Sequence, residues 1–124
     1  MISPHVLVVE DDDSVRSLLV MLLRAEGYDA SEAKDGSIAL EVADQRRPDL
    51  VILDLMLPGV DGEAVVRGMW ASPSLVDVPV VVVSAKYEAL DDLRDLIGAD
   101  NVFPKPFDED NLMARVEQIL GPAI

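Results

Sequence analysis

The chain contains no cysteine, a single histidine and only five aromatic residues other than histidine. Without cysteine it cannot form a disulfide, a thiolate metal site or a cysteine nucleophile. Its longest purely apolar run, Leu18–Leu23, is far below the ~20 residues that span a membrane. The first residues also lack the basic start and long apolar stretch of a signal peptide. These absences favour a soluble, cytoplasmic protein, and His5, at the start of an apolar run, is not expected to have a catalytic role.

Basic residues are also scarce. Ten Lys and Arg stand against 24 Asp and Glu, which gives a formal net charge of −14 at pH 7. Because nucleic-acid phosphates and anionic lipids repel such a chain, we expect no direct nucleic-acid partner and no membrane partner. The 124 residues fit one domain, spanning 1–124. Their hydrophobic content of 50% is enough to supply a core.

Apolar periodicity predicts five strand–helix repeats. Short β-branched or apolar runs alternate with segments whose apolar residues recur at helical spacing. Four consecutive valines, Val80–Val83, indicate a strand that is buried on both faces. This alternation favours an α/β fold with a parallel sheet and helices on both faces. The predicted strands are His5–Val9, Tyr28–Ala33, Asp49–Leu53, Val80–Val83 and Val102–Phe103.

Polar side chains follow four of the predicted strands. Glu10 and Asp11 come after the first strand, Asp54 after the third and Ser84 after the fourth. Lys105 lies two residues beyond the fifth. Because the carboxyl ends of parallel strands meet at one edge of a sheet, we expect these side chains to lie close together.

Each of these residues has a simpler interpretation on its own. Asp12 and Asp13, and even Asp11, are typical of residues that cap a helix, where anions favour the positive end of the helix dipole. Asp54, after the third strand, is also typical of a turn residue. Capping alone does not explain why every one of these strands ends in a group suited to the same ion site.

The charges of the predicted site indicate a chemistry. Three carboxylates and the Lys105 ammonium sum to about −2, which suits a hard cation such as Mg²⁺ with oxygen ligands. Asp carboxylates can act as nucleophiles that form an aspartyl-phosphate. A lysine and a metal ion can offset the charge of the phosphoryl oxygens, and the Ser84 hydroxyl can donate to them afterwards.

Four segments carry a specific resemblance. With them, the chain resembles the receiver domain of bacterial two-component response regulators over essentially its whole length. The segments occur in the expected order, each at a strand end, and together they are far more specific than any one alone. They are Val8–Asp12, Leu53–Gly62, Val83–Ala85 and Lys105–Phe107.

The resemblance implies a phosphorylation-dependent signalling switch rather than an enzyme that acts on external substrates. A sensor histidine kinase or a phosphotransfer protein would phosphorylate Asp54. Ser84 takes the position of the family's switch hydroxyl, and Lys105 that of its active-site lysine. The resemblance also assigns four ligands to a Mg²⁺ or Mn²⁺ ion: Glu10, Asp11, Asp54 and the main-chain carbonyl of Met56.

The resemblance further implies a flavodoxin-like (βα)5 fold, a doubly wound five-stranded sheet in the order 2-1-3-4-5. A cis Lys105–Pro106 peptide bond comes with it, since only an X-Pro bond adopts cis at low cost. Receivers often carry an inward-turning aromatic three residues before the active-site lysine, where this chain has Val102. Phe103 is expected to face the other side of the pleat.

Two further helices are predicted from apolar spacing: helix 4 from Leu90, Leu93, Leu96 and Ile97, and helix 5 from Leu112, Val116, Ile119 and Leu120. The output surface is expected to be the face formed by helix 4, strand 5 and helix 5. Residues 88–117 contain nine acids and three bases, so this face is expected to prefer a protein target with a basic surface. A homodimer through the same face is a further option.

Three other functions are less well supported by the residues than a phosphorylation switch. A phosphatase with an Asp nucleophile usually needs a second Asp two residues later, where this chain has Met56. A flavodoxin-type electron carrier needs a Ser/Thr/Gly-rich phosphate loop after the first strand, and four acids stand there instead. The last is a docking module of the same fold that phosphate does not switch, which Val102 keeps open.

Overall fold

The structure, a computed structural model, describes residues 3–57, 62–85, 94–95 and 97–122. Strands and helices alternate within these residues, as the periodicity predicts. The strands are β1 (His5–Val9), β2 (Asp29–Ala33), β3 (Leu50–Asp54), β4 (Val80–Ser84) and β5 (Val102–Pro104). The helices are α1 (Asp13–Ala25), α2 (Gly36–Gln45), α3 (Gly62–Ala71), a single 3-10 turn (Ala99–Asn101) and the C-terminal helix (Glu109–Leu120).

The five strands form one parallel sheet in the order β2-β1-β3-β4-β5. This confirms the predicted flavodoxin-like order. Because all the strands are parallel, their carboxyl ends lie along one edge of the sheet, which we call the carboxyl edge. β1, β3 and β4 are buried along their whole length, which explains their nearly continuous apolar sequences.

Alternate residues of the strands face two separate cores. Leu7 and Val9 of β1 pack with the buried residues of α2 and α3. Val6 and Val8 pack on the other face, with the buried residues of α1 and the C-terminal helix. Both faces of the sheet are therefore covered by helices. None of the helices in the described part of the chain has the length and apolar character needed to cross a lipid bilayer.

In the part of the chain that the structure describes, three aspartates begin helices. Asp12, Asp35 and Asp108 each accept the backbone N–H three residues further on, at 3.0, 2.9 and 2.9 Å. This is the geometry of a helix N-cap, and it confirms the capping interpretation for Asp12. The acids after β1 thus have different roles: Asp12 caps α1, whereas Glu10 and Asp11 lie at the carboxyl edge.

β5 places its two predicted residues on opposite faces of the sheet. Val102 is buried in the core beneath α2 and α3, while Phe103 packs against the core beneath α1 and the C-terminal helix. Phe103 therefore faces the side expected for it. The Lys105–Pro106 peptide bond after β5 is cis, as the resemblance implies.

The fourth predicted helix lies mainly outside the described residues. Residues 94, 95 and 97 are helical, whereas Leu90, Leu93 and Leu96, on which that prediction depends, are not among those described. Residues 58–61 also lie outside the described residues. The output face that includes this helix is therefore described only in β5 and the C-terminal helix.

Candidate metal and phosphoacceptor site

Glu10 is a completely buried carboxylate at the end of β1. Its backbone N–H donates to the Ala33 carbonyl of β2 at 3.0 Å, which extends the β1–β2 pairing by one residue. Its Oε1 forms an ion pair with the Lys105 ammonium. A buried charge needs such a partner, because burial without one costs several kcal/mol.

Asp54, the last residue of β3, is also buried, with a relative exposure of 4%. Its Oδ2 lies 3.0 Å from Lys105 Nζ, and its Oδ1 accepts the Met56 N–H at 3.0 Å. These two bonds fix the plane of the carboxylate. Lys105 therefore contacts two carboxylates from two different strands.

Asp11 completes a cluster of three carboxylates. One oxygen from each of Glu10, Asp11 and Asp54 lies within 4.8 Å of the others, and Asp11 is exposed, so the cluster is open to solvent on one side. With all three carboxylates ionised and the ammonium charged, the local charge sums to about −2. Hard oxygen ligands, this charge and an open side fit a Mg²⁺ ion, which retains several of its waters in protein sites.

The environment changes the acidity of two groups in this cluster. Burial and the adjacent Asp54 raise the pKa of Glu10, while Lys105 acts in the opposite direction, and together they bring this pKa to about 7. Burial lowers the pKa of Lys105, but its bonds to Glu10 and Asp54 outweigh this effect and raise the pKa overall. The ammonium therefore stays charged at neutral pH.

Ser84 and Met56 lie at the same edge of the sheet. Ser84, at the end of β4, is buried, and its carbonyl accepts the Lys105 N–H at 3.0 Å. The Met56 N–H donates to the Asp54 carboxylate, while Met56 itself is 55% exposed. All six residues expected at the site thus lie at the carboxyl edge. The roles assigned to the six stay predictions.

Gly62 ends the Leu53–Gly62 segment and also lies against this site, a position that its place in the sequence does not predict. Its N–H donates to the Leu55 carbonyl at 3.0 Å. A Cβ at this position would lie 2.4 Å from Leu55 Cα and 2.6 Å from the Asp54 carbonyl oxygen. Only glycine therefore allows α3 to begin against the backbone of Asp54. Glycine is the residue type that such a close backbone approach requires.

Comparison with known proteins identifies the family. The family model of the response regulator receiver domain matches residues 6–117 of the sequence. The chain therefore belongs to this family of signalling domains.

Individual relatives agree with this assignment. Over 113 residues, the chain is 45% identical to the DNA-binding response regulator MtrA of Mycolicibacterium smegmatis, covering 90% of this chain and 48% of that protein. Among solved structures, the chemotaxis protein CheY4 of Vibrio cholerae superposes with a TM-score of 0.84 at 26% identity, covering 95% of this chain and 99% of that one.

A second solved structure contains a metal ion. The receiver domain of the sensor histidine kinase PA1611 from Pseudomonas aeruginosa has a TM-score of 0.83 at 27% identity, covering 96% of this chain and 98% of that one. That structure is described with a magnesium ion coordinated in its active-site cleft.

The expectation of no direct nucleic-acid partner was wrong. Relatives at 44–45% identity are named DNA-binding response regulators. The net charge of −14 describes the surface of these 124 residues, and the chain spans about half the length of those relatives. Charge on one segment therefore does not determine what the rest of a regulator binds.

Proposed function

We propose that this receiver domain is a phosphorylation-dependent switch in which Asp54 accepts a phosphoryl group from a sensor histidine kinase or a phosphotransfer protein. The observation that carries the proposal is the Asp54 carboxylate, which lies 3.0 Å from Lys105 Nζ within a group of three carboxylates. An isolated strand-end aspartate would need neither the ammonium nor the two neighbouring acids. Membership of the receiver family supports the same interpretation.

A divalent cation would bind the carboxylates of Glu10, Asp11 and Asp54, with the Met56 main-chain carbonyl as a further ligand. When bound, Mg²⁺ or Mn²⁺ would neutralise charge on the carboxylates and on the incoming phosphoryl oxygens. The three carboxylates converge within 4.8 Å, which supports this assignment, and so does the magnesium ion in the PA1611 receiver.

The chain's own residues would perform the transfer as follows. One Asp54 oxygen attacks the phosphorus of the donor's phosphohistidine, and the P–N bond breaks as the O–P bond forms. The imidazole of the donor leaves with the electron pair of the broken bond. Lys105 would offset the charge on the phosphoryl oxygens. An apolar hollow lined by Val15, Leu18, Pro106 and Phe107 lies beside Lys105, and it offers the donor protein a surface next to the acceptor.

Ser84 would couple phosphorylation to the output face. Its hydroxyl would donate to a phosphoryl oxygen, and this contact exists only in the phosphorylated state. A contact made in one state alone shifts the balance between two conformations. The expected output is a changed set of protein contacts through helix 4, β5 and the C-terminal helix. Because the relatives are named DNA-binding regulators, we propose that the output controls gene expression.

The test is the ¹⁵N–¹H spectrum of the chain before and after treatment with acetyl phosphate and Mg²⁺. We expect the resonances of Phe103, Asn111 and Arg115 to shift in the wild type and to stay in place in the matched variant Asp54→Asn. In Ser84→Ala we expect Asp54 to be phosphorylated while these shifts are reduced. Full phosphorylation of the wild type without a shift at β5 or the C-terminal helix would contradict the switch. Equal shifts in Asp54→Asn would contradict the assignment of the acceptor.

A further inference from the structure

Arg16 lies behind the acid pair and contacts three different segments of the chain. It is in the first helical turn of α1, and its side chain is only 15% exposed. One guanidinium nitrogen, Nη1, donates to the Glu10 carbonyl at 3.0 Å. Nη2 lies 2.5 Å from Asp13 Oδ1, and Nε lies 3.4 Å from Glu32 Oε1, on β2.

The contact with the Glu10 carbonyl fixes one particular peptide group. That carbonyl belongs to the peptide unit that joins Glu10 to Asp11, and a peptide unit is planar. The N–H on the other side of Glu10 is already fixed by its bond to Ala33. Because the Glu10 carbonyl is also bound, the peptide units on both sides of Glu10 are restrained. The relative orientation of Glu10 and Asp11 is therefore fixed.

We propose that Arg16 is a positioning residue for the metal site, one that sets the relative orientation of the Glu10 and Asp11 carboxylates through the peptide unit between them. This inference rests on the proposed function, in which those two acids bind the cation. The salt bridges with Asp13 and Glu32 hold the Arg16 guanidinium in place. Side chains behind the direct ligands commonly determine metal affinity in this way.

The shape of the guanidinium is essential to this role. Its donors form a rigid planar fork that can reach acceptors in several directions at once, whereas a lysine ammonium is a single point of charge. Lysine at position 16 would keep the charge and lose the simultaneous contacts. The charge and the geometry of Arg16 can therefore be separated by substitution.

The test is the Mg²⁺ affinity of three variants, measured by isothermal titration calorimetry on folded protein. We expect Arg16→Met and Arg16→Lys to weaken Mg²⁺ binding by about tenfold. The matched control is Arg24→Met. Arg24 is also on α1, and it donates to the Ala30 carbonyl of β2 at 3.2 Å, away from the acids. We expect the control to lose stability without losing Mg²⁺ affinity.

A second readout reports the peptide group directly. In the metal-free protein, we expect the amide resonance of Asp11 to shift in both Arg16 variants and to stay unchanged in Arg24→Met. Unchanged Mg²⁺ affinity in Arg16→Met would overturn the inference, and so would recovery of affinity in Arg16→Lys. An equal loss in Arg24→Met would also overturn it, because the effect would then be one of general stability. If the wild type itself binds no Mg²⁺, or binds it equally well after Asp11→Asn, the proposed function fails instead.

Discussion

Lys105 is shared between two buried carboxylates, and this sharing is what distinguishes the site from a row of strand-end acids. The order of the residues along the chain predicts that Glu10, Asp54 and Lys105 meet at one edge of the sheet. It does not predict that Glu10 is completely buried, or that Lys105 contacts both acids. Those facts depend on side-chain packing, which leaves no periodic signal in the sequence.

His5 is a second buried titratable residue, at the opposite edge of the sheet. Its Nε2 lies 2.5 Å from Ser31 Oγ, and its Nδ1 is buried without a hydrogen-bond partner among the described residues. Burial lowers the pKa of His5, and the nearby Arg46 lowers it further, while Asp29 and Asp49 act in the opposite direction. The folded protein therefore favours the neutral imidazole.

We predict that His5 makes the protein less stable in mild acid. Because the folded pKa lies below the ordinary value of 6.5, the unfolded chain takes up a proton first as the pH falls. The free energy of unfolding should then decrease below pH 6.5, by at most about 1.4 kcal/mol per pH unit. Urea unfolding at a series of pH values will show this decrease as the difference in stability between the wild type and a variant without the imidazole.

The matched variant for this prediction is His5→Gln, which can still bond Ser31 and does not titrate. Glu10, with a pKa of about 7, has the opposite effect in the same range, because its protonation favours the folded state. That effect is present in both proteins and cancels in their difference. Parallel stability curves for the two proteins would show that His5 is not the group responsible.

At the scale of elements, the start of α3 is fitted to the end of β3. The Asp54–Leu55 backbone leaves no room for a side chain at Gly62. The sequence pattern predicts both the strand and the helix, but it does not predict that they approach so closely. The distance between two elements depends on the packing of the whole face, which the spacing of apolar residues does not encode.

We predict that Gly62→Ala destabilises the fold by at least about 2 kcal/mol, since the backbone must move to admit the Cβ. The matched control is Gly68→Ala on the same helix. There the three atoms nearest to a Cβ all belong to the Leu40 side chain, the first at 3.0 Å, and this side chain can move aside. Alanine also gains up to about 1 kcal/mol of helix propensity.

Urea unfolding and acetyl phosphate labelling of both glycine variants will check this prediction. We expect Gly68→Ala to stay within about 1 kcal/mol of the wild type and to be labelled normally. Gly62→Ala should be less stable and should be labelled more slowly, because the Asp54 backbone is displaced. Equal stability of the two variants would mean that the close approach is not a real constraint.

At the scale of the molecule, the excess of acids divides into parts with different roles. Three of the 24 Asp and Glu converge on one site, and three others cap helices. The order of the residues along the chain predicts a parallel sheet and the edge at which the acids meet, and the order of its strands comes from the family resemblance. The prediction that there is no nucleic-acid partner was wrong, because a net charge describes only the segment of a protein for which it is calculated.

We predict that Mg²⁺ stabilises the whole fold by binding this site. A ligand that binds only the folded state at ten times its Kd raises the free energy of unfolding by about 1.4 kcal/mol. The free energy of unfolding should therefore rise with Mg²⁺ concentration in the wild type and rise much less in Asp11→Asn. The Asp11 side chain is exposed, so this substitution does not disturb the core. Na⁺ at matched ionic strength controls for screening of the net charge. An equal shift in Asp11→Asn would assign the effect to nonspecific screening.

The central claim is that Asp54 accepts a phosphoryl group in a reaction that needs a divalent cation. The most direct measurement is the intact mass of the protein after incubation with acetyl phosphate and Mg²⁺. We predict the gain of one phosphoryl group, stable in acid and lost in base, which is absent with EDTA and absent in Asp54→Ala. No gain in the wild type, or the same gain in Asp54→Ala, would contradict the account.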